Sequence, residues 1–177
     1  MNENLTVIIV VYKTKKELLK NFINQIDANY KILIVDNGFS YNFGEIENLQ
    51  NVSIYRSPVN QGNGDGINIG LRMVKSPYAI YFDIDTIFEN TFLSSIENYI
   101  TKIKSFCILL PNINSSNKSN EEFIEKYDGE GAIMLFNVRE VTNVGSFDTD
   151  YFLYREETDL FYRCKLNDKK IYLLTKI

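Results

Sequence analysis

Short runs dominated by apolar, mostly β-branched residues punctuate the first half of the chain. Thr6–Tyr12 and Lys31–Val35 are near-continuous, as in strands buried on both faces. Val52–Arg56 and Tyr78–Phe82 read as two more strands. Between the first two, Leu18, Leu19, Phe22, Ile23 and Ile26 recur at helical spacing, with Thr14 placed to cap that helix. A glycine-rich loop at 60–66 precedes a predicted short helix over Ile67–Val74. Strand–helix alternation of this kind predicts an α/β fold with a mainly parallel central sheet flanked by helices.

The second half is less regular. Phe92, Leu93, Ile96, Tyr99, Ile100 and Ile103 mark an amphipathic helix, and Phe106–Leu110 reads as a strand broken by Pro111. The polar run 112–120 reads as a mobile loop rather than a linker. Gly131–Phe136 returns to strand character. Val138–Val144 is a short helix closed by Gly145, Glu156–Asn167 a longer one, and Lys170–Leu174 a last strand.

With 177 residues, 45% hydrophobic and 24% charged, the chain fits one domain of a soluble globular protein. Residues 1–90 form its better-patterned half and 91–177 the other. A formal charge of −4 gives no basic footprint, which argues against a nucleic-acid partner. No run of about 18 apolar residues occurs, so membrane contact is at most peripheral. Cys107 and Cys164, both in apolar surroundings, suit reduced core thiols of a cytoplasmic protein. The chain contains no histidine, which removes Ser-His-Asp and Cys-His chemistry and imidazole-based zinc sites. A general base has to come from Asp, Glu, Lys, Tyr or Cys.

The acids sit in suggestive places. Asp83-Ile84-Asp85 follows the strand Tyr78–Phe82, and side chains at i and i+2 of an extended segment share a face. The pair can hold Mg²⁺ or Mn²⁺ together with water and substrate phosphates. An isolated D-x-D is more often a solvated turn, but here Tyr12, Asp36, Arg56 and Asp83 all end successive predicted strands. Ligands of open α/β sheets bind at such ends. Asp36 alone could cap a turn with Asn37-Gly38, and Tyr12 alone could be core. The loop Asn60–Gly66 matches neither the dinucleotide G-x-G-x-x-G pattern nor a P-loop, yet its glycines let backbone approach a ligand, and the helix behind it could turn free N–H groups towards a diphosphate. Glu156 and Glu157 follow the aromatic stretch Tyr151–Tyr154. They could be first-turn acids suited to a helix dipole, or a partly desolvated general base.

These segments together resemble the family-2 inverting glycosyltransferases of the GT-A fold, in particular their rhamnosyl- and galactofuranosyltransferase-like branch. The matching pieces are Val7–Tyr12, Ile34–Asn37, Asn60–Gly62 with Asn68–Gly70, Asp83–Asp85, Gly131–Met134, Gly145–Asp148 and Phe152–Arg163. They keep the family's order over residues 6–174. The resemblance implies a nucleoside-diphosphate-sugar transferase fold, with the donor held in the half 1–90 and the acceptor and base in the half 91–177. Nucleotide-sugar contacts fall on Val10, Tyr12, Asp36, Asn60, Gly62, Asn68, Asp83 and Ile84, and Mn²⁺ or Mg²⁺ falls on Asp85 with Asp83. Glu157 aligns with the catalytic base that deprotonates a glycan or lipid-linked acceptor hydroxyl. Glu156, Asp159 and Arg163 stand beside it, Arg163 in either a structural or an acceptor role. Homo-oligomer formation stays open, and the inner face of the cell membrane is the expected site of any peripheral association.

Two departures from the family pattern bear on chemistry. Glu157 is one methylene longer than the usual Asp, a displacement of about 1.5 Å, and misplacement of that order can cost roughly 10²-fold in rate. Many relatives also supply a metal-binding His just after the last strand, where this chain stops; the resemblance then implies a shortened acceptor half, or a cation held by Asp85, water and phosphate. Two other readings compete. A dehalogenase-type hydrolase needs its D-x-D on the first strand, and here three strands precede it. An inactive nucleotide-sugar-binding module within a larger transferase would bind nucleotide without turnover.

Overall fold

A computed structural model describes residues 2–39, 42–113 and 119–177. The middle of the polar run 112–120 therefore lies outside the described residues. Strands β1 (Leu5–Val11), β2 (Lys31–Asn37), β3 (Val52–Ser57) and β4 (Tyr78–Phe82) stand where the apolar runs place them. They are followed by β5 (Ile108–Pro111), β6 (Phe123–Glu125), β7 (Ile133–Asn137) and β8 (Ile171–Leu174). All eight join one sheet in the order β3-β2-β1-β4-β7-β5-β8-β6. The β1–β2, β1–β4, β2–β3 and β5–β8 pairings are parallel, while β7 runs against both β4 and β5, and β6 against β8. The sheet is thus mainly parallel, as its alternating pattern predicts.

Helices α1 (Lys16–Ile23) and α3 (Phe92–Lys102) cover one face, packing Leu19, Phe22, Leu93 and Ile96 on Val7, Ile9, Ile34 and Phe82. Helices α2 (Asn63–Met73), α4 (Val138–Asn143) and α5 (Glu156–Leu166) cover the other, where Ile67, Val141, Leu160 and Phe161 meet Ile8, Ala79 and Phe136. Both faces are dry, which is why the central strands read as continuous rather than alternating.

Several expectations need correction. Helix α1 is entered at Lys15 with no side-chain cap, so Thr14 does not cap it. Helix α2 begins at Asn63 instead of Ile67, so most of the glycine-rich stretch is helix. Glycine is a poor helix former, but here its missing side chain is what lets α2 lie on the sheet. A Cβ on Gly66 would come within 2.6 Å of Val10 Cγ1, and one on Gly70 within 2.7 Å of Ile8 Cγ2. Pro111 ends β5 from within instead of breaking it. Pairing with β7 stops at Leu109, so the N–H that proline lacks is not needed on that side. A 3₁₀ turn at Gly44–Asn48 and the three-residue edge strand β6 were not foreseen.

Candidate active site

Alternation along the strands decides which residues can meet. On β1, Ile8 and Val10 point to the α2–α5 face; on β2 it is Leu33, Val35 and Asn37, and on β4 Ala79 and Tyr81, with Asp83 just past its end. At the carboxyl ends of these strands a cavity of about 520 Å³ opens. Val10, Tyr12, Asn37 and Asp83 line its sheet side, and Gly62 and Asn63 bring in the start of α2. Glu156 and Glu157 bring in the start of α5, with Phe152, Leu153 and Tyr154 at the rim and Gly131 and Ala132 beside β7.

The chain has to turn sharply to deliver Glu156. Tyr154 and Arg155 are consecutive non-glycine residues in the left-handed region, at φ 69° and 72°. Such residues are uncommon, and they cluster where surrounding structure holds a functional turn in place. Gly62 is the other special position. Its φ is 92°, and a Cβ there would lie 2.1 Å from the Phe152 carbonyl oxygen. That close approach lets Phe152 O accept the Asn63 N–H at 3.1 Å. The first N–H of α2 is therefore spent on protein, and not free for a phosphate as the glycine-rich loop suggested.

Asn37 fixes the opposite wall. Its Nδ2 donates to Asn60 Oδ1 (3.0 Å) and to the Gly62 carbonyl (2.7 Å), and its Oδ1 accepts from the Gln61 N–H (3.1 Å). Asn60 Oδ1 also accepts the Gly62 N–H at 3.0 Å. Tyr12 is 45% exposed at the mouth, with Lys13 Nζ 5.0 Å from its ring centroid.

The floor is acidic and hydrogen-bonded. The Tyr81 hydroxyl lies 2.5 Å from Asp83 Oδ1 and 3.1 Å from Asn63 Oδ1. Asn63 Nδ2 in turn donates to Glu156 Oε1 at 3.4 Å. Burial pushes the Asp83 carboxyl above its ordinary pKa; the Tyr81 hydrogen bond opposes that, and the nearby Asp85, Glu156 and Glu157 add to it. Burial also raises the Tyr81 phenol well above its usual value, with the Asp83 charge adding to the effect. The extra methylene of Glu157 has room because position 131 is glycine: a Cβ there would sit 3.2 Å from Glu157 Cγ.

The residues singled out by sequence do not all converge. Val10, Tyr12, Asn60, Gly62, Asp83, Glu156 and Glu157 line the cavity. Asp36 is fully buried on the α1–α3 side, in register with Arg56, which pairs with Glu47 at 2.5 Å. One residue along, Asn37 takes the cavity position, because neighbours on a strand face opposite ways. Ile84 packs into the core under α1 and α3. Asn68 turns both amide atoms to the backbone of Phe147, at 2.8 and 2.9 Å, and so ties α2 to the turn before α5. Asp159 is gripped by Arg163 at 2.6 Å, whose other donors reach the Val144 and Ser146 carbonyls. Those two residues brace the same turn from outside the cavity. Asp83 and Asp85 do not share an extended segment: the chain turns at once, with the Thr86 N–H donating to the Asp83 carbonyl at 3.0 Å, and Asp85 is exposed. Asn37, Asn63 and Tyr81 were missed as site residues. Tyr81 sits two residues before Asp83 on one strand face, which was the available signal.

Among the described residues no three or more His, Cys, Asp or Glu gather into a closed metal cage. The donor set instead suits an open cation site. Asp83, Glu156 and Glu157 line the cavity with no Lys or Arg among its described lining residues, and the exposed Asp85 is near enough for its charge to act on Asp83. A hard cation with one or two protein carboxylates, completed by water and phosphate oxygens, fits that chemistry.

Comparison with known proteins bears on the fold and the family. The structure of S. aureus TarS residues 1–349 superposes with a TM-score of 0.73 at 16% identity, covering 98% of this chain and 58% of that one. TarS 1–349 in complex with UDP-GlcNAc gives 0.75 at 17% identity, over 98% and 56%. GalNAc-T7 with UDP, GalNAc and Mn²⁺ gives 0.80 at 13%, over 97% and 42%. The chain thus spans between 42% and 58% of the length of these structures, and the likeness shows a shared GT-A glycosyltransferase fold. No curated protein sequence matches. The family described as Glycosyl transferase family 2 matches residues 6–173, and the chain belongs to that family.

Proposed function

We propose that this chain transfers a sugar from a nucleoside-diphosphate donor to a hydroxyl of a glycan or lipid-linked acceptor, with inversion at the anomeric carbon. The observation that carries this reading is the cavity at the carboxyl ends of β1, β2 and β4, lined by three carboxylates and, among the described residues, no Lys or Arg. A diphosphate can enter such a cavity only with its charge offset by a cation. Asp85 and Asp83 would hold Mn²⁺ or Mg²⁺, which supplies charge neutralisation for the departing diphosphate. Tyr12 packs on the base at the mouth, and the Asn37–Asn60–Gly62 wall shapes the nucleotide side.

Glu157 serves as the base. It takes the proton of the acceptor hydroxyl as that oxygen bonds to the anomeric carbon, and the bond to the diphosphate oxygen breaks on the opposite side. Glu156 faces the sugar, since its carboxylate repels phosphate and attracts hydroxyl hydrogens. Uridine is the base to try first, because the TarS and GalNAc-T7 structures contain UDP or UDP-GlcNAc. The rhamnosyl- and galactofuranosyl-like branch is supported by sequence motifs alone. Asp83-Ile84-Asp85 follows the fourth strand, not the first, in a family-2 chain, which leaves the dehalogenase reading without support. The free thiols Cys107 and Cys164 support a reducing compartment such as the cytoplasm. Among the described residues no helix is long and apolar enough to cross a membrane.

A second reading has a specific basis. The chain spans 58% of TarS 1–349 and 42% of GalNAc-T7. It could therefore bind donor as one part of a larger transferase and turn over weakly by itself. Melting curves with UDP, GDP, CDP and dTDP, each with and without Mn²⁺, test the donor site. Ligand at about 100 times its dissociation constant adds roughly 2.7 kcal/mol. A Mn²⁺-dependent rise for one diphosphate, absent in Asp85→Asn, is expected. No rise with any of them would sink the donor site. Binding without release of sugar in the presence of acceptors would favour the second reading.

A further inference from the structure

Among the described residues, one buried side-chain oxygen has no partner: Oε2 of Glu156, on a residue only 5% exposed. Leaving a buried acceptor without a hydrogen-bond partner is destabilising, because its lost hydration is not replaced. A fold tolerates this where the orientation is held by neighbours and completed by something that binds. The neighbours here form a chain. Glu156 Oε1 accepts from Asn63 Nδ2 at 3.4 Å, Asn63 Oδ1 is 3.1 Å from the Tyr81 hydroxyl, and that hydroxyl is 2.5 Å from Asp83 Oδ1. It links three elements, from the first residue of α5 through the first residue of α2 to the carboxyl end of β4.

We propose that Asn63 and Tyr81 are positioning residues, a two-residue bridge that leaves Glu156 Oε2 free for a ligand hydrogen and couples Glu156 to Asp83. Tyr81 is 2% exposed, so its hydroxyl acts through protein groups alone. Its single hydrogen faces two acceptors, which ties the placement of Asn63 to that of Asp83. The proposal rests on the donor-site reading above. Phosphate oxygens offer no hydrogen to Oε2, whereas sugar hydroxyls and amide N–H groups do. The ribose and base of the nucleotide carry such hydrogens too, but the reading above seats them at Tyr12 and the Asn37–Asn60–Gly62 wall, so the bridge acts on the transferred sugar.

Two measurements on the whole chain test this. In the ligand-free protein, the effect of Glu156→Gln on the unfolding equilibrium in urea is compared with and without Asn63→Leu. A difference of fivefold or more is expected, and additivity within twofold overturns the bridge whatever binds. Calorimetric titrations with UDP and with UDP-GlcNAc, each with Mn²⁺, are then run on wild type, Tyr81→Phe and Asn63→Leu, together with the rate of sugar release. UDP affinity should stay within twofold in Asn63→Leu, which leaves the Tyr81–Asp83 hydrogen bond in place, while sugar release falls at least tenfold in both variants. Equal weakening of both would mean a structural role only and would overturn the proposal. If the wild type binds no nucleotide although the residues couple, the donor-site reading fails and the bridge's assigned purpose fails with it.

Discussion

The acids at the cavity differ in what their surroundings ask of them. Glu157 stands where a general base is needed, with Gly131 leaving space for its extra methylene. General-base catalysis contributes about 10²–10⁴-fold, so Glu157→Gln should lower turnover by that order while leaving nucleoside-diphosphate affinity unchanged, as separate rate and titration measurements would show. Asp83 is held in a place that disfavours its charge, chiefly through burial, with Asp85, Glu156 and Glu157 adding to it. Its folded carboxyl keeps the proton to higher pH than the unfolded one. Stability is therefore lost as pH rises from the ordinary carboxylate range to the raised folded value, and the cost persists above it. Asp83→Asn should raise the melting temperature of the ligand-free protein at pH 7. That gain should shrink to nothing near pH 3, below both values; a gain unchanged with pH would contradict this account.

The elements explain why some of the molecule could be read from sequence and some could not. Strands β1, β2 and β4 were legible because both faces are covered, which forces near-continuous apolar runs. The start of α2 was not, because local propensity argues against Asn-Gly-Asp-Gly as helix, and the deciding contacts lie on another strand. Gly66→Ala should destabilise by about 1–3 kcal/mol in urea unfolding, since a Cβ meets Val10 Cγ1 at 2.6 Å. Asn68 was read as part of the nucleotide loop. Its hydrogen bonds to Phe147 predict instead that Asn68→Ala costs stability, about 1–3 kcal/mol, and spares nucleotide affinity. For the candidate site, the strand ends pointed to the crevice where the cavity lies, but the phase of each strand chose which residues line it. That phase turns Asp36 away from the cavity and Asn37 into it. The Asn63–Tyr81 link stayed hidden because a tyrosine within Tyr78–Phe82 reads as core until its hydroxyl is seen beside Asp83.

At the scale of the whole molecule, one sheet brings two differently built halves to a common cavity. The parallel strands β1–β4 present a wall of amides and an aromatic ring, while α5, entered through the left-handed pair Tyr154 and Arg155, delivers two glutamates across from it. Asn68, Asp159 and Arg163 hold the turn at 144–147 against α2 and α5, and so fix the distance between those walls. The central claim is that a nucleoside diphosphate and a divalent cation enter between them. The most direct measurement is an anomalous difference map at the manganese edge, from crystals soaked with MnCl₂ and the diphosphate chosen by the melting panel. The account predicts a peak bonded to Asp85 and the diphosphate, with Glu157 facing the side opposite the leaving oxygen. Nucleotide bound outside the cavity, or in it with no metal peak near Asp83 and Asp85, would contradict the account.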